Sequence, residues 1–404
     1  MFNPALLLSA ALLAVLAGLR PAAAADWPQW RGPTRDGISA ETNWSAVWPA
    51  GGPALRWKFS AGTGCVAVSV SQGRVFTLGN RAETDTVYAL DEKTGAVRWQ
   101  HSYACPLDPN MFEGGPGATP TVDGERVYTL SRAGHLLCLR ADTGQVLWSK
   151  KLTGDLGGKR PTWGYAGSPL VLGKRLLLDV GAPGAATMAL DKLTGQVLWK
   201  NGAEPAGYGT LTPFDFNGRT CLAAFNGAGL AVRDVNDGRE LARFPWKTSY
   251  DVNAATPIVA GDKIFISSGY NRGAALLQLG AGGLRALWEH KKMRNHFNSC
   301  VLWQGHLYGF DESTLTCLEF ATGAVRWQQE GLGKGSLMLA DGKLVIQAEQ
   351  GHLVVAAAAP AAYRELARAK VLSGRCWVVP VLANGAVYCK NNAGELVCLD
   401  VSGK

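Results

Sequence analysis

The stretch ALDEKTGAVRW at Ala89–Trp99 returns along the chain with small changes. It reads CLRADTGQVLW at Cys138–Trp148, ALDKLTGQVLW at Ala189–Trp199 and CLEFATGAVRW at Cys317–Trp327, with a weaker copy at Val232–Ala242. Self-similarity at a spacing of tens of residues is typical of repeat architectures. The repeated residues are therefore expected to build the scaffold, and function is expected in the residues that do not repeat.

A short hairpin pattern with a turn glycine between two apolar segments accompanies each unit, as in TPTVDGERVYTL at Thr119–Leu130. Eight such glycines recur between Gly73 and Gly385 at a mean spacing of about 45 residues. Four short strands per unit at this spacing predict an all-β fold, an eight-bladed β-propeller of four-stranded antiparallel blades. Trp99 and its equivalents then fall on outer strands, where we expect them to dock between neighbouring blades.

Two parts of the repeat depart from this pattern. The last unit ends at the chain terminus without an outer strand, whereas Leu55–Phe59 is an unassigned strand with Trp57 in the outer-strand position. We predict that this segment completes the eighth blade and leaves no open sheet edge there. In the seventh unit, the Ala-rich stretch Val354–Leu372 predicts a short helical insertion, because Ala, Leu, Arg and Glu favour helix.

The N-terminus predicts export. Ala5–Leu19 is an apolar run, and the small residues Ala22–Ala25 offer a cleavage site before Asp26. The alternative is a retained membrane anchor, although the run is short for a bilayer span. The predicted division is a signal peptide at 1–25, an N-terminal extension at 26–54 and the propeller at 55–404, with the mature protein periplasmic or secreted.

The composition limits the classes of partner that we expect the protein to bind. The net charge of +8 favours anionic partners such as acidic glycans or phospholipid head groups. The charge is spread along the chain, so nucleic acid is not expected. Nine cysteines without C-x-x-C spacing give no support for a cysteine metal site. Cys138, Cys317 and Cys398 are interpreted as small buried apolar residues, and a disulfide between Cys389 and Cys398 stays open.

The spacing A-x-D-x-x-x-G-x-x-x-W resembles the tryptophan-docking motif of the pyrroloquinoline-quinone (PQQ) repeat. That repeat occurs in quinoprotein alcohol dehydrogenases and in non-catalytic relatives, and the resemblance runs from about Leu55 to Asp400. Asp26–Gly37 resembles exported PQQ-like propeller proteins of unassigned activity. The eight units and the mature size are similar to the outer-membrane assembly lipoprotein B family, although the lipid-anchoring Cys is absent.

The dehydrogenase branch of this family implies a calcium ion held by Glu, Asn and Asp oxygens, a basic Asp and an adjacent Cys–Cys pair over the quinone. This chain has no adjacent Cys pair. We therefore expect no cofactor and a non-catalytic binding or assembly scaffold, with a protein, an anionic glycan or another cell-envelope partner. Membrane contact is expected to be peripheral at most. The alternatives are a quinoprotein-type alcohol dehydrogenase using PQQ and calcium, and a carbohydrate-binding propeller.

Function in a propeller is sought in the loops that lead into each inner strand, because they crowd one face around the central channel. These loops carry aromatic, amide and charged residues that could grip a planar or sugar-like ligand, or anchor a peptide. The alternative is that they only satisfy loop backbone groups. The candidates are Trp163, Tyr165, Tyr208, Tyr250, Asp251, Asn253, Arg294, Asn295, His296, Asn298, Lys334, Arg375 and Trp377.

Three local hypotheses accompany this set. His296 has no His or Cys partner nearby, so a loop hydrogen bond is favoured over catalysis or metal binding. Asp251 and Asn253 could contribute calcium oxygens together with the side chain of Asn298, a grouping that rests on loop position alone. The Pro- and Gly-rich stretch Gln100–Gly117 predicts an ordered loop over one rim, suited to a partner contact.

Overall fold

The computed structural model describes residues 26–108 and 112–403. They form eight blades of four antiparallel strands in a ring, which confirms the eight-bladed propeller, and Ile38–Ser39 adds a fifth, parallel strand to the sheet that contains Ser336–Ala340. The signal peptide predicted at 1–25 lies outside the described residues. We number the blades 1 to 8 from the first complete repeat, and we name the strands of each blade from the channel outward as first, second, third and outer.

The first four blades follow one another along the chain without a crossover. Blade 1 comprises Ser69–Ser71, Arg74–Arg81, Thr84–Asp91 and Val97–Ala104. Blade 2 comprises Thr121–Asp123, Arg126–Leu130, His135–Arg140 and Val146–Lys151. Blade 3 comprises Leu170–Leu172, Arg175–Ala182, Ala185–Asp191 and Val197–Asn201. Blade 4 comprises Thr212–Phe216, Arg219–Asn226, Gly229–Asp234 and Glu240–Pro245.

The second half repeats this order, and a 3₁₀ turn at Ser249–Asp251 precedes it. Blade 5 comprises Ile258–Ala260, Lys263–Ser268, Gly273–Gly280 and Gly283–His290. Blade 6 comprises Val301–Trp303, His306–Asp311, Thr314–Glu319 and Val325–Gln329. Blade 7 comprises Ser336–Ala340, Lys343–Gln347, His352–Ala357 and Glu365–Lys370. Blade 8 comprises Val381–Ala383, Ala386–Lys390, Glu395–Asp400 and Ala54–Ser60.

Each first strand ends in a tight turn. These turns all lie on one face of the propeller, which we call the glycine face. In blade 1 the two turn residues Gln72 and Gly73 both have positive φ, 52° and 73°. This is the two-residue turn that matches the twist of paired strands, and glycine adopts its second position without a steric cost. The opposite face, which we call the loop face, carries the connections that enter each first strand.

The repeated tryptophan docks on the next blade. The Trp99 indole donates a hydrogen bond to the carbonyl of Ala141 at 2.9 Å, and its ring lies against Gly144 of blade 2. A Cβ at Gly144 would approach the Trp99 ring to 2.5 Å, so the T-G of the repeat is a requirement of packing. The same indole-to-carbonyl bond recurs at Trp57, Trp148, Trp199, Trp288 and Trp327.

The prediction of ring closure is confirmed. Ala54–Ser60 pairs antiparallel with Glu395–Asp400, and Trp57 lies opposite Cys398, as Trp99 lies opposite Ala89 in blade 1. Arg56 and Asp400 add an ion pair at 2.9 Å across the seam. The two ends of the chain are therefore joined within one sheet, and blade 8 has no missing strand.

The helical insertion predicted at Val354–Leu372 is wrong. His352–Ala357 and Glu365–Lys370 are the third and outer strands of blade 7, and they pair in the register of the other blades. Ala367 stands opposite Val355, where most blades have the docking tryptophan. Pairing with the rest of the blade outweighs the helix propensity of alanine, which is a weak preference.

The cysteines behave as small apolar side chains. All nine are unpaired, and eight of them are buried, with Cys65 half-buried. Cys389 and Cys398 lie on paired strands but face other partners, Val397 and Tyr388, so the disulfide considered between them does not form. Burial raises the pKa of the Cys398 thiol to about 12.

Residues 26–37 thread into the channel, a position that no pattern in the sequence predicts. Trp27 exchanges backbone hydrogen bonds with Val70 of blade 1 at 2.8 and 2.9 Å, and the Gly37 carbonyl accepts one from Leu339 of blade 7. The buried Arg31 guanidinium donates to the carbonyl of Cys300, which directly precedes the first strand of blade 6, at 2.9 Å. Because one short segment contacts the first strands of blades on different sides of the ring, it fills the channel.

Candidate functional site

A cavity of about 240 Å³ opens on the loop face at the mouth of the channel. The Trp30 side chain, from the segment inside the channel, contributes to its lining, and the Trp30 indole donates to the Thr256 hydroxyl at 2.8 Å. Because the segment occupies the channel beneath, the cavity is a blind pocket. Gly117, Ala166 and Val379 contribute small apolar surface to its wall.

Seven aromatic side chains form a closed ring around this cavity. Each ring contacts the next, and the centroid distances between neighbours run from 4.5 to 6.2 Å. Such pairs each contribute about 0.5–1.5 kcal/mol beyond the burial of their area. We call this set the aromatic ring. In order around the mouth, its members are Phe112, Trp163, Tyr250, Tyr270, His296, Phe297 and Trp377.

The aromatic ring is assembled from six separate segments of the chain. Phe112 and Trp163 come from the loops that enter blades 2 and 3, and Tyr250 comes from the loop that enters blade 5. Tyr270 lies in the turn between the second and third strands of blade 5. His296 and Phe297 enter blade 6, and Trp377 enters blade 8. The ring therefore depends on the propeller to bring distant segments together.

Three members hold a left-handed backbone conformation, with φ of 49° at Phe112, 58° at Tyr250 and 52° at Tyr270. Side chains without an amide or carboxyl group close to the backbone rarely adopt this conformation. Its cost is of order 1–3 kcal/mol for each residue, and it persists only where the surroundings require it. Strain at three of seven members is typical of a functional site.

Tyr208 fixes the distance between two members of the aromatic ring. Its hydroxyl accepts a hydrogen bond from the backbone N–H of Trp163 at 3.2 Å and donates one to the carbonyl of Tyr250 at 3.3 Å. The Tyr208 side chain is buried, and burial is the main cause that raises the pKa of its hydroxyl. The hydroxyl therefore stays protonated at neutral pH and can make both bonds.

The His296 imidazole belongs to the aromatic ring and accepts a hydrogen bond at the rim. Lys334 donates to its Nδ1 at 2.8 Å, and Lys334 also pairs with Glu312 at 3.1 Å. Burial, followed by the charge of Lys334, lowers the pKa of His296, and Glu312 opposes the shift. The imidazole is neutral at pH 7, as an acceptor for the lysine ammonium must be.

The charged side chain of Arg375 lies at the rim of the cavity, between Trp377 and Phe112. The Arg375 guanidinium lies 4.8 Å from the centre of the Trp377 ring and 5.2 Å from that of Phe112. Arg375 also binds Glu113 at 2.7 Å. The Trp377 indole donates to Glu349 at 3.0 Å, which fixes its ring plane. The cation site on these two π faces is therefore filled by the chain itself.

A second space, which we call the polar groove, adjoins the cavity and shares Tyr208 with it. Its volume is about 240 Å³. Three prolines give it a stiff wall, and Lys159, Arg160 and Asp251 supply its charges. The prolines are Pro161, Pro183 and Pro205.

The structure distributes the thirteen predicted residues among different positions. Trp163, Tyr208, His296, Asn298 and Trp377 line the cavity. Tyr250 belongs to the aromatic ring, Lys334 and Arg375 stand at the rim, and Asp251 lines the polar groove. A ligand role for these nine stays a prediction.

The other four predicted residues hold the loops. Tyr165 donates its hydroxyl to the Val180 carbonyl at 3.0 Å, and Asn253 donates to the Asn226 carbonyl at 2.7 Å. Asn295 donates to the Phe310 carbonyl at 2.9 Å, and these three side chains are buried. Arg294 makes a two-point ion pair with Asp311. The first three side chains therefore hydrogen-bond backbone carbonyls, and Arg294 hydrogen-bonds a carboxylate.

Four aromatic residues at the site were not among the predicted candidates. Phe112 lies in the predicted rim loop, and Phe297 is the neighbour of His296, so both segments had been singled out without these side chains. Tyr270 lies in a turn inside a blade, which was outside the loops considered. Nothing in the sequence signals Trp30, because its position depends on the segment that fills the channel.

The lining does not fit calcium with a quinone. Calcium takes six to eight oxygen ligands, and the described residues of the cavity include no carboxylate. The Ser168 and Thr210 hydroxyls already accept backbone N–H groups, and Thr256 accepts the Trp30 indole. Asn253 accepts from the Ser268 hydroxyl, away from the cavity that Asn298 lines, so the calcium group considered above is not assembled.

Two further observations concern the described residues as a whole. Within residues 26–108 and 112–403, no cluster of three His, Cys, Asp or Glu side chains is placed to hold a metal ion. In the same ranges, no helix has the length and hydrophobicity needed to cross a membrane.

Comparison with known proteins agrees with the fold. The chain is 23% identical over 339 residues to the outer membrane protein assembly factor BamB of Moranella endobia (strain PCIT), covering 80% of this chain and 86% of that protein.

Two solved structures are similar. One is BamB from Moraxella catarrhalis, at 13% identity and a TM-score of 0.61, covering 86% of this chain and 97% of that one. The other is quinohemoprotein alcohol dehydrogenase from Comamonas testosteroni, at 13% identity and a TM-score of 0.65, covering 94% and 81%. At such identities the likeness shows the fold alone, and it does not separate a scaffold from an enzyme.

The decisive match is to a family model described as outer membrane protein assembly factor BamB, which covers residues 83–329. That range holds five of the blades and most of the aromatic ring. The chain belongs to this family of PQQ-like β-propellers.

Proposed function

We propose that this protein is exported and acts as a non-catalytic scaffold in the assembly of outer-membrane proteins. In this function it binds a protein partner on the loop face. The family match and the BamB relative support the assembly role. The apolar run at Ala5–Leu19 supports export to the envelope, where such assembly takes place.

The observation that carries the proposal is the aromatic ring around a blind cavity. Aromatic side chains and arginine dominate the energetics of protein interfaces, especially where a well-packed pocket excludes water. Here seven such rings and Arg375 are held in place before any partner binds. A preorganised surface loses less conformational entropy on association, so it binds more tightly for the same contacts.

A site-specific crosslinking experiment tests this function. A photoreactive residue is placed at Tyr250, which is 61% exposed on the loop face, and separately at Leu193, which is 51% exposed on the glycine face. The expected result in the native host is a discrete protein adduct from position 250 only. Mass spectrometry should identify it as an outer-membrane protein or a component of the machinery that inserts one.

Two outcomes would overturn the proposal. The first is the absence of any adduct from position 250, or equal adducts from both positions. The second is dye-linked alcohol oxidation by purified protein supplied with PQQ and Ca²⁺, which would favour the dehydrogenase. Binding of an acidic glycan that is lost in Trp163→Ala, without a protein adduct, would favour the carbohydrate-binding alternative.

A further inference from the structure

The cavity and the polar groove adjoin, and their chemistry differs in a way that defines a ligand. We propose that together they form one peptide site: the cavity receives the side chain of a tryptophan, and the groove receives an acidic stretch beside it. This inference rests on the proposed function, because it names the segment by which a partner protein would be held.

The size of the cavity selects a bicyclic group. An apolar protein cavity of about 150 Å³ binds benzene. The present cavity is about 240 Å³, which leaves room for a second fused ring. A single phenyl ring would leave part of this volume empty and forfeit contacts with the wall. Among protein side chains, only the indole of tryptophan is a fused bicyclic ring.

The chemistry of the wall selects a neutral, flat group. The wall is mainly aromatic, and the hydroxyls of Ser168, Thr210 and Thr256 each already accept one hydrogen bond. A cationic ligand would have to compete with Arg375, which already lies on the faces of Trp377 and Phe112. A sugar would bring many hydroxyls to a mostly apolar wall, and burying them unpaired is unfavourable.

One polar atom of the site lacks a partner. The Nε1 of Trp163 is buried and makes no hydrogen bond among the described residues. A buried indole N–H usually has an acceptor. Trp163 belongs to the aromatic ring and stands next to Tyr208, which separates the cavity from the groove. A small rotation of the Trp163 indole would let a carbonyl of a bound peptide, passing from one space to the other, supply the missing acceptor.

The polar groove carries positive charge, which favours a peptide with acidic residues over a free planar molecule that would fill only the cavity. Lys159 makes no ion pair in the described part of the chain, and Arg160 shares Asp108 with Arg132. These two cations face a single groove carboxylate, that of Asp251. The stiff walls formed by Tyr208 and the three prolines suit an extended backbone, and the excess positive charge suits acidic residues.

The test uses purified protein spanning residues 26–404 and dye-labelled hexapeptides followed by fluorescence anisotropy. The probe peptide has one tryptophan followed by two aspartates in a Gly-Ser background, and a second probe has the aspartates before the tryptophan. Replacing tryptophan by alanine is expected to weaken binding at least about tenfold. Replacing tryptophan by phenylalanine should weaken it less, and replacing the aspartates by lysines should weaken it several-fold at low salt.

Two variants locate the site. Ala166→Phe fills the cavity without removing a ring member, and it should abolish binding of the tryptophan peptide. Lys159→Glu should weaken the aspartate peptide and leave a neutral tryptophan peptide unchanged. Leu193→Ala, on the glycine face, is the matched control that keeps full affinity. Thermal melting of each variant confirms that it is folded.

The inference is overturned if the alanine peptide binds as well as the tryptophan peptide, or if Ala166→Phe binds normally. Binding of a neutral planar molecule or a glycan in place of every peptide would also refute it. These results leave the scaffold function standing when the position-250 adduct still forms in the host. Loss of that adduct together with intact peptide binding would instead refute the scaffold function.

Discussion

The two faces of this propeller are built from the same eight blades and differ in almost every other respect. On the glycine face, tight turns such as Gln72–Gly73 recur from blade to blade, and the indole of Trp99 docks where the T-G of blade 2 makes room. On the loop face, the connections differ in length and composition and carry strained aromatic residues. The repeated contacts that pack the blades therefore lie on the glycine face. The connections on the loop face are not constrained by these contacts, so their residues can form a site.

The segment at 26–37 separates the two faces. It fills the channel, and its Trp30 contributes to the lining of the cavity on the loop face. Without it the cavity would be the entrance of an open channel. The difference between the faces therefore depends on a segment that belongs to no blade.

Deleting Asp26–Phe59 should have the largest effect on this arrangement. The deletion removes both the channel segment and the outer strand of blade 8, which closes the ring. We expect the chain to lose its cooperative thermal transition or to melt at least about 10 °C lower. Circular dichroism and calorimetry measure this. An unchanged melting temperature would contradict both the closure and the role of the segment.

Trp99→Ala and Trp377→Ala compare the two faces directly. Trp99 is buried between blades, so its loss should lower the free energy of unfolding by about 3–5 kcal/mol. Trp377 lies at the half-buried mouth, and its loss should cost stability about half as much or less while removing ligand binding. Chemical denaturation and the peptide assay give the two readouts. Equal losses of stability would show that the mouth also carries the fold.

Asp179→Asn tests a support beneath the mouth. Asp179 accepts the backbone N–H of Gly207, next to Tyr208, and burial raises the pKa of its carboxyl to about 7. A raised pKa means that the folded protein holds a proton that the unfolded chain releases between about pH 4 and pH 7. Stability should therefore fall as the pH rises through this window, and the asparagine variant should lose this dependence.

Melting temperatures at pH 5 and pH 8 measure the Asp179 effect. The wild-type protein should lose more stability than Asp179→Asn between these two values. Parallel curves would show that the carboxyl is not the source of the dependence.

Tyr250→Gly should have the smallest effect on stability. Glycine relieves the backbone cost at φ 58°, which offsets the loss of edge contacts with Trp163 and Tyr270. We expect the free energy of unfolding to change by no more than about 1 kcal/mol, while peptide binding weakens. Urea unfolding checks the first part. A loss above about 2 kcal/mol would mean that Tyr250 is a structural residue.

The repeat made the scaffold predictable. The spacing of the turn glycines and the Trp-to-Gly contact are local demands that recur in each blade, so the number of blades, the docking tryptophans and the closure by Trp57 follow from pattern alone. Trp288 was missed because its unit has GAGG in place of the T-G turn. The strands of blade 7 were misassigned as helix because their alanines match helix propensity, and only pairing with neighbouring strands reveals them.

The site was predictable in part. Loops entering the first strands must converge at the channel, so Trp163, Tyr208, His296 and Trp377 were found by their position in the repeat. Tyr165, Asn253 and Asn295 come from the same loops, yet their side chains turn inward to satisfy backbone groups. The direction in which a loop side chain points depends on local hydrogen bonds, and no periodic pattern in the sequence encodes these bonds.

By itself, the sequence determined the eight blades, their docking tryptophans and the closed ring, because each results from contacts that repeat at a constant spacing. Only the tertiary structure decided that seven aromatic side chains from six segments meet in one ring, that residues 26–37 fill the channel and that the cavity is blind. These features join residues far apart in the chain, and their geometry exists only once the propeller has closed.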